Sequence, residues 1–145
     1  MVHGLAKGSQ FTVHRIGQGM GFDFENLKVY REAVSFADEI YNLTKSFPRE
    51  EIFGIVGQMR RASLSVPLNI AEGSGRSKRE FKVYLKRART SLYECVPLLD
   101  LCLRQGFIDA EAHHHYYQRL NEMSKRLSAL IRSVNPATPS VNREL

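Results

Sequence analysis

The sequence predicts an all-α fold, a single-domain antiparallel four-helix bundle with up-down topology. Apolar residues recur at intervals of three and four in four successive segments, which is the spacing of one buried helix face. Proline and glycine separate these segments, and none of them shows the period-two alternation of a half-buried strand. At 145 residues the chain is one domain by length, and its 43% hydrophobic content is enough to form a core.

The first two helices are predicted on either side of Pro48. Asn26 is the predicted N-cap of the first helix, because its side chain can accept a hydrogen bond from a free backbone N–H there. The second helix starts directly after Pro48 and ends at Gly73 and Gly75. The predicted buried stripe of the first helix is Leu27, Tyr30, Val34, Ala37, Tyr41 and Thr44. That of the second helix is Ile52, Val56, Met59, Ser63, Val66 and Ile70.

Two further helices complete the predicted bundle. Ser77, with Glu80 three residues later, predicts a capping box at the start of the third helix, and Gly106 predicts its end. The fourth helix opens near Asp109 and ends before Pro136. The predicted buried stripe of the third helix is Phe81, Leu85, Ala88, Leu92, Val96, Leu99 and Leu103. That of the fourth helix is Tyr116, Leu120, Met123, Leu127, Leu130 and Val134.

Pro67 interrupts the pattern of the second helix. An interior proline removes one backbone hydrogen bond and clashes with the carbonyl four residues back, here that of Ser63, at a cost of about 3 kcal/mol. One interpretation is a kink that reorients Arg60, Arg61 and the Gly73–Arg76 turn. The other interpretation is that Pro67 only shapes the core or a subunit contact.

The domain boundaries are predicted where helical periodicity stops. Residues 1–22 are expected to be a flexible arm or a leader, with Met20 as an alternative start, residues 23–135 form the bundle, and residues 136–145 are a tail. The chain has no run of about eighteen apolar residues, so we expect no transmembrane helix. The N-terminal residues lack the continuous apolar centre of a signal peptide, and we therefore expect a cytoplasmic protein without a membrane partner.

Few residues suggest enzyme or metal chemistry. His113–His115 and Glu111 supply one Glu-x-x-His, whereas a di-metal bundle needs two copies, so we expect a solvated histidine run and no metal. Cys95 and Cys102 are seven residues apart, about 10 Å along a helix, which is too far for a disulfide, so we expect buried thiols. The Gly73–Arg76 stretch follows no strand, unlike a phosphate-binding loop. We therefore expect no catalytic residue and no cofactor.

Positive charge is concentrated in the middle of the chain. The net charge is +6, and between Arg49 and Arg89 ten basic residues stand against four acidic ones, so this window alone carries the excess. A concentrated basic zone suits an anionic partner such as DNA or RNA, although a merely solvated surface is the alternative. The candidate nucleic-acid-binding residues are Arg60, Arg61, Arg76, Lys78, Arg79, Lys82, Lys86, Arg87 and Arg89.

Part of this set forms a row on the third helix. Its members step by four, four and three residues and therefore share one face about 16 Å long. They are Lys78, Lys82, Lys86 and Arg89, with Arg79 and Arg87 beside them. Tyr84 is the nearest aromatic residue, and few others are interleaved with the row. We therefore expect contacts to phosphates with little sequence preference rather than base stacking.

Three sequence stretches resemble a known family. They are FENLKVYREA from Phe24, QMRRA at Gln58–Ala62 and PLNIAEG at Pro67–Gly73, and they resemble proteins encoded in intervening sequences of bacterial 23S rRNA genes. The resemblance implies an antiparallel four-helix bundle that assembles into a barrel-like homopentamer. A related branch, the accessory protein of diversity-generating retroelements, binds nucleic acid and a reverse transcriptase, so the resemblance implies these two classes of partner. The histidine run and the N-terminal leader depart from the family pattern and inherit no role.

Two functions remain open at this point. The first is a non-enzymatic, oligomeric nucleic-acid-binding accessory protein that acts through the basic surface of the second and third helices. The alternative is a protein-interaction scaffold, for example for a reverse transcriptase, without a direct nucleic-acid role. Self-association is expected in both cases, because apolar residues off the main stripes would be partly exposed on a monomer. These residues are Val29, Phe36, Ile55, Leu64 and Val83.

Overall fold

The computed structural model describes residues 21–135, and this part of the chain is helical, without strands. Short 3-10 turns at Asp23–Asn26 and Arg49–Glu51 precede the first and second α-helices. The α-helices are α1 (Lys28–Thr44), α2 (Ile55–Ser74), α3 (Lys78–Arg104) and α4 (Ala110–Ser133). These four helices confirm the predicted all-α class. Most of the predicted arm, including Met20, and the whole predicted tail lie outside the described residues.

Each helix packs against the next one along the chain, and α1 also contacts α4, so the helices share one hydrophobic core. The predicted stripes of α2, α3 and α4 supply most of it. Met59 and Ile70 of α2, Leu85 and Leu99 of α3, and Leu127 of α4 are all at most 2% exposed. Side chains repeated at helical spacing on these three helices therefore do face the core, as the sequence predicts.

The buried face of α1 differs from the predicted one. Val34 and Tyr41, predicted to be buried, are 43% and 37% exposed, whereas Phe36 and Ile40 are each 1% exposed. Apolar residues occupy two adjacent arcs of α1, and both arcs fit the helical period. Of the predicted arc, Ala37 and Thr44 are buried and only Val34 and Tyr41 are left at the surface.

Only some of the apolar residues off the predicted stripes are exposed on the single chain. Val29, Phe36 and Ile55, predicted to be partly exposed on a monomer, belong to the core of the single chain, so that prediction is wrong for them. Leu64 and Val83 do remain at the surface, with 40% and 45% of their area exposed. Self-association would therefore have to cover exposed residues such as these.

Two predicted helix starts are also displaced. Asn26 lies in the preceding 3-10 turn and does not cap α1, whose N-cap position is Leu27. The second helix begins at Ile55 rather than directly after Pro48, since Gly54 takes a non-helical conformation with φ −102° and ψ −117°. Ile52, predicted to be buried, consequently precedes α2 and is 51% exposed.

The Ser77 cap of α3, its end at Gly106 and the start of α4 near Asp109 are as predicted. Ser77 Oγ accepts a hydrogen bond from the Glu80 backbone N–H over 3.2 Å, and the Ser77 hydroxyl donates to Glu80 Oε1 over 3.0 Å. Asp109 Oδ1 accepts the backbone N–H of Ala112 over 2.8 Å. Gly106 follows α3 with φ 75°, in the left-handed region that favours glycine after a helix. Local cap chemistry therefore fixes both ends of the α3–α4 connection.

At Gly73 the helices α2 and α3 are packed too closely to admit a side chain. A Cβ atom at position 73 would lie 2.5 Å from Tyr84 Cβ and 3.1 Å from Phe81 Cδ1. Tyr84 Cβ is attached directly to the backbone of α3, so a change of side-chain rotamer cannot relieve the clash. Position 73 thus requires glycine because two helices meet there, rather than because of its backbone conformation.

We expect Gly73→Ala to lower the free energy of unfolding by about 1–3 kcal/mol, because α2 and α3 must move apart to admit the new methyl group. Gly75→Ala is the matched control, since an added Cβ at exposed position 75 meets no atom within 4 Å. Its stability should stay within about 0.5 kcal/mol of the parent protein. Urea denaturation of both variants measures the difference, and equal stabilities would contradict the steric argument.

Candidate nucleic-acid interface

The N-terminal half of α3 carries five basic residues that we call the α3 basic surface: Lys78, Arg79, Lys82, Lys86 and Arg87. Lys82 is half-buried and the other four are exposed. None of the five forms an ion pair with any residue of the 21–135 range. Like charges at this spacing repel one another on a helix. The surface therefore keeps a positive charge that an anionic partner can neutralise.

The two candidate arginines of α2 have different surroundings. Arg60 is half-buried, its Nε donates to Thr44 Oγ1 over 2.9 Å, and its guanidinium carbon lies 4.9 Å from the centroid of the Tyr41 ring. These contacts join α2 to the C-terminal end of α1. Arg61 is exposed, and its side chain makes no hydrogen bond or ion pair with the described residues. Arg60 therefore has a packing role, and only Arg61 is available to a ligand.

Arg76 lies in the turn between α2 and α3 and is neutralised by two carboxylates. Its Nη2 is 3.2 Å from Glu72 Oε1 and its Nη1 is 3.3 Å from Glu80 Oε2. Hydrogen bonds from Ser77 and from Arg76 lower the pKa of the Glu80 carboxyl below its ordinary value. Because two carboxylates face one guanidinium, this cluster adds no positive charge to the neighbouring α3 basic surface.

The Tyr84 ring is already in contact with cations. The guanidinium carbons of Arg76 and Arg87 each lie 4.8 Å from its centroid. Cation–π contacts of this kind hold the guanidinium groups close to the helix surface. The aromatic residue nearest to the basic row is therefore engaged within the chain, which favours phosphate contacts over stacking on a base.

Arg89 ends the predicted row at the seam between α3 and α4. It is half-buried, and its Nη1 donates to Ser128 Oγ over 3.1 Å. This hydrogen bond joins two helices of the bundle. The structure therefore brings Lys78, Lys82 and Lys86 together as predicted and assigns Arg89 a contact within the fold.

A groove of about 510 Å³ lies between α2 and α3, and we call it the α2–α3 groove. Its polar lining consists of Ser65, Asn69, Lys86, Arg87, Thr90 and Ser91. The Ser91 hydroxyl lies 3.0 Å from Ser65 Oγ, and Asn69 Nδ2 donates to the Ser65 carbonyl oxygen over 2.8 Å. This polar network is not predicted from the sequence. Ser65 and Asn69 have helical i, i+4 spacing, but their meeting with Ser91 depends on how α2 and α3 pack.

A second groove, also of about 510 Å³, lies between α1 and α2, and we call it the α1–α2 groove. It is mainly apolar and includes Val34 and Tyr41 of α1 with Leu64 and Leu68 of α2. Leu68 is 57% exposed. Pro67 is buried and lines the same groove, and α2 continues through it as one helix. This position favours the interpretation that Pro67 shapes a packing surface.

The histidines of α4 face different neighbours. His113 Nε2 lies 2.8 Å from Asp100 Oδ1 of α3, whereas His115 Nε2 lies 3.3 Å from Glu39 Oε1 of α1. Within the described range, no three His, Cys, Asp or Glu side chains are grouped so that they could hold a metal ion. The run therefore connects α4 to both of its neighbouring helices.

Cys95 and Cys102 are free and buried, as predicted. Burial raises the pKa of the Cys95 thiol to about 12 and that of the Cys102 thiol to about 11. Reactive cysteines have a lowered pKa and a partly exposed, electropositive environment. These two thiols stay protonated near neutral pH and act as small apolar side chains of the core.

The fold and this surface define a helical-bundle protein with a strongly basic helix face. Residues 25–129 match the 23S rRNA-intervening sequence protein family, and the chain belongs to that family. It is similar to the crystal structure of a protein of unknown function from the S23 ribosomal protein family of Bacteroides thetaiotaomicron, with 27% identity and a TM-score of 0.67. That similarity covers 72% of this chain and 96% of the other. No curated protein matches this chain.

Not one of the helices in residues 21–135 combines the length and the apolar character needed to cross a bilayer.

Proposed function

We propose that this protein is a non-enzymatic, cytoplasmic accessory protein that binds nucleic acid through the phosphate backbone. The observation that carries the proposal is the α3 basic surface, where five cationic side chains lie within ten residues and no described carboxylate pairs with them. A polyanion supplies the missing negative charge, and its release of counterions drives binding. The resemblance to the accessory protein of diversity-generating retroelements supports the same class of partner.

The proposed binding has little sequence preference. Lysine and arginine contacts to phosphates fix the position of a strand but carry no information about its bases. Tyr84, the nearest aromatic ring, is in contact with Arg76 and Arg87. The surface therefore offers charge without a free stacking platform, and DNA or RNA of mixed sequence should bind similarly.

We further infer that copies of the chain form a homo-oligomer, a pentamer as the family resemblance implies. A ring of more than two subunits joins two different surfaces of the same chain. The α1–α2 groove is one exposed apolar surface, and the C-terminal half of α3 is another, with Tyr93 and Leu101 exposed by 51% and 45%. Contact between these two surfaces would repeat the α3 basic surface around a ring, so that several modest sites act together on one polyanion.

The scaffold function remains the second candidate because of the α1–α2 groove. Leu64 and Leu68 expose apolar area there that a segment of another protein, such as a reverse transcriptase, could cover. In that case the charge on α3 would select the partner rather than bind nucleic acid. A protein partner that stays bound after nuclease treatment, together with absent nucleic-acid binding, would favour this candidate.

We expect replacement of Lys82 and Lys86 by Gln to weaken binding to a mixed-sequence duplex about tenfold at about 0.1 M salt. The slope of log K against log salt should decrease by about two units, because each lost phosphate contact removes about one. Fluorescence anisotropy across a salt series measures both quantities.

The matched control replaces Lys28 and Lys125 by Gln, which removes the same charge from exposed positions of α1 and α4. Its affinity and salt slope should stay near those of the parent protein. If both double variants lose the same affinity, net charge alone governs binding. If neither variant loses affinity, the α3 basic surface is merely solvated. Either result would refute the assignment of binding to α3.

Sedimentation equilibrium at micromolar concentration should give a mass near five times the 16.6 kDa of one chain. Replacing Leu64 and Leu68 by Ser should shift the population toward monomer, since both side chains line the α1–α2 groove. Val83→Ser is the control, because Val83 is similarly exposed but lies outside that groove. A monomeric parent protein would overturn the assembly proposal.

A further inference from the structure

The α2–α3 groove holds a hydrogen-bond donor that the chain itself leaves unused. Ser65 Oγ and Ser91 Oγ lie 3.0 Å apart and share one hydroxyl proton. Asn69 Nδ2, 2.8 Å from the Ser65 carbonyl oxygen and 2.9 Å from Ser65 Oγ, donates to both. Two hydroxyls carry two protons. Whichever serine donates to the other, the second proton has no acceptor within residues 21–135.

Two cations open onto the same groove. Lys86 and Arg87 are exposed members of its lining, and neither has an ion-pair partner in the described part of the chain. The Thr90 hydroxyl donates to the Lys86 carbonyl oxygen over 3.0 Å and is therefore already satisfied. No carboxylate belongs to the lining. The groove thus combines positive charge with a free hydroxyl donor.

This combination selects a phosphate group among common ligand classes. Phosphate oxygens are strong acceptors that carry negative charge, and charge-assisted hydrogen bonds are about twice as strong as neutral ones. Arginine matches phosphate geometry with two parallel N–H donors, and lysine contributes a point charge. The groove volume of about 510 Å³ leaves room for a phosphate and an attached sugar, with Val83 as an apolar contact.

We propose that the α2–α3 groove is a phosphate-binding site in which Lys86, Arg87 and the Ser65–Ser91 hydroxyl pair hold one phosphate group. The proposal rests on the proposed function and deepens it, because it names where one phosphodiester of a bound strand lies. A phosphodiester and free inorganic phosphate share this chemistry. The experiment therefore titrates the full chain with each of them separately.

The direct readout is the backbone amide NMR spectrum of the isotope-labelled full chain during titration with a tetranucleotide or with inorganic phosphate. The largest shift changes should occur at Ser65, Arg87 and Ser91. The tetranucleotide should saturate at lower concentration than phosphate, because neighbouring cations of α3 contact its other phosphates. Shift changes spread evenly along α3, without a maximum at the groove, would overturn the proposal.

Single-charge variants provide the matched comparison. Lys86→Gln should weaken tetranucleotide binding about fivefold, whereas Lys82→Gln, which removes the same charge outside the groove, should weaken it less than about twofold. Equal losses in these two variants, with binding of long strands retained, would refute the groove while leaving the proposed function intact. Failure of the parent protein to bind any oligonucleotide would instead refute the proposed function.

A neutral double variant tests the hydroxyl pair without changing the charge. Ser65→Ala with Ser91→Ala should weaken binding of both probes about three- to tenfold, because a hydrogen bond to a charged oxygen is lost. Ser35→Ala with Ser124→Ala is the control, since neither hydroxyl makes a hydrogen bond with the residues of the 21–135 range. Thermal melting checks that both variants are folded, and unchanged affinity in a folded Ser65/Ser91 variant would contradict the proposal.

Comparing the two titrations distinguishes a site for free phosphate from a site for a phosphodiester of a bound strand. If phosphate perturbs Ser65 and Ser91 but no oligonucleotide binds, the groove is a site for the free ion and the nucleic-acid function is wrong. If the tetranucleotide perturbs both residues, the site belongs to the strand-binding surface. If neither probe perturbs them, the groove does not bind phosphate.

Discussion

The close approach of Gly73 to Tyr84 governs the packing of α2 against α3, on which the candidate interface and the α2–α3 groove depend. Since position 73 has no side chain, the backbones of α2 and α3 approach closely there. The same helix pair brings Ser65 within 3.0 Å of Ser91 and encloses the α2–α3 groove between them. A wider spacing would separate the hydroxyl pair and open the groove. The packing of one helix pair thus determines both the shape of the surface and its unused hydrogen-bond donor.

The acidic residues are placed so that the cations of the α3 basic surface have no carboxylate partner among the described residues. At the seam between α1 and α4, Arg126 Nε lies 2.6 Å from Glu32 Oε1, and Arg119 forms an ion pair with Glu39. In the α2–α3 turn, Arg76 forms ion pairs with two further carboxylates, those of Glu72 and Glu80. These carboxylates are therefore paired within the fold, and the lysines and arginines of α3 keep their charge. The ion pairs among the described residues thus involve none of the five cations of the α3 basic surface.

The sequence predicts features that depend on local chemistry and misses those that depend on how helices pack. Helix number, the Ser77 cap and the start of the fourth helix near Asp109 are confirmed, because periodicity and capping act over a few residues. The buried face of α1 was not predictable, since two overlapping stripes fit one period. Arg60 could not be distinguished from Arg61, because adjacent helix positions point about 100° apart and only the packing of α1 shows which is covered.

The most direct test of the account is photo-cross-linking of the unmodified protein to an RNA containing 4-thiouridine, followed by mass spectrometry of the cross-linked peptides. Binding through the α3 basic surface predicts that adducts at about 0.05 M salt concentrate between residues 76 and 91, a range that includes the N-terminal half of α3. The yield of adducts should decline steeply by about 0.2 M salt, since phosphate contacts release counterions. Adducts spread equally over α1 and α4, or the same yield at both salt concentrations, would contradict binding through the α3 basic surface.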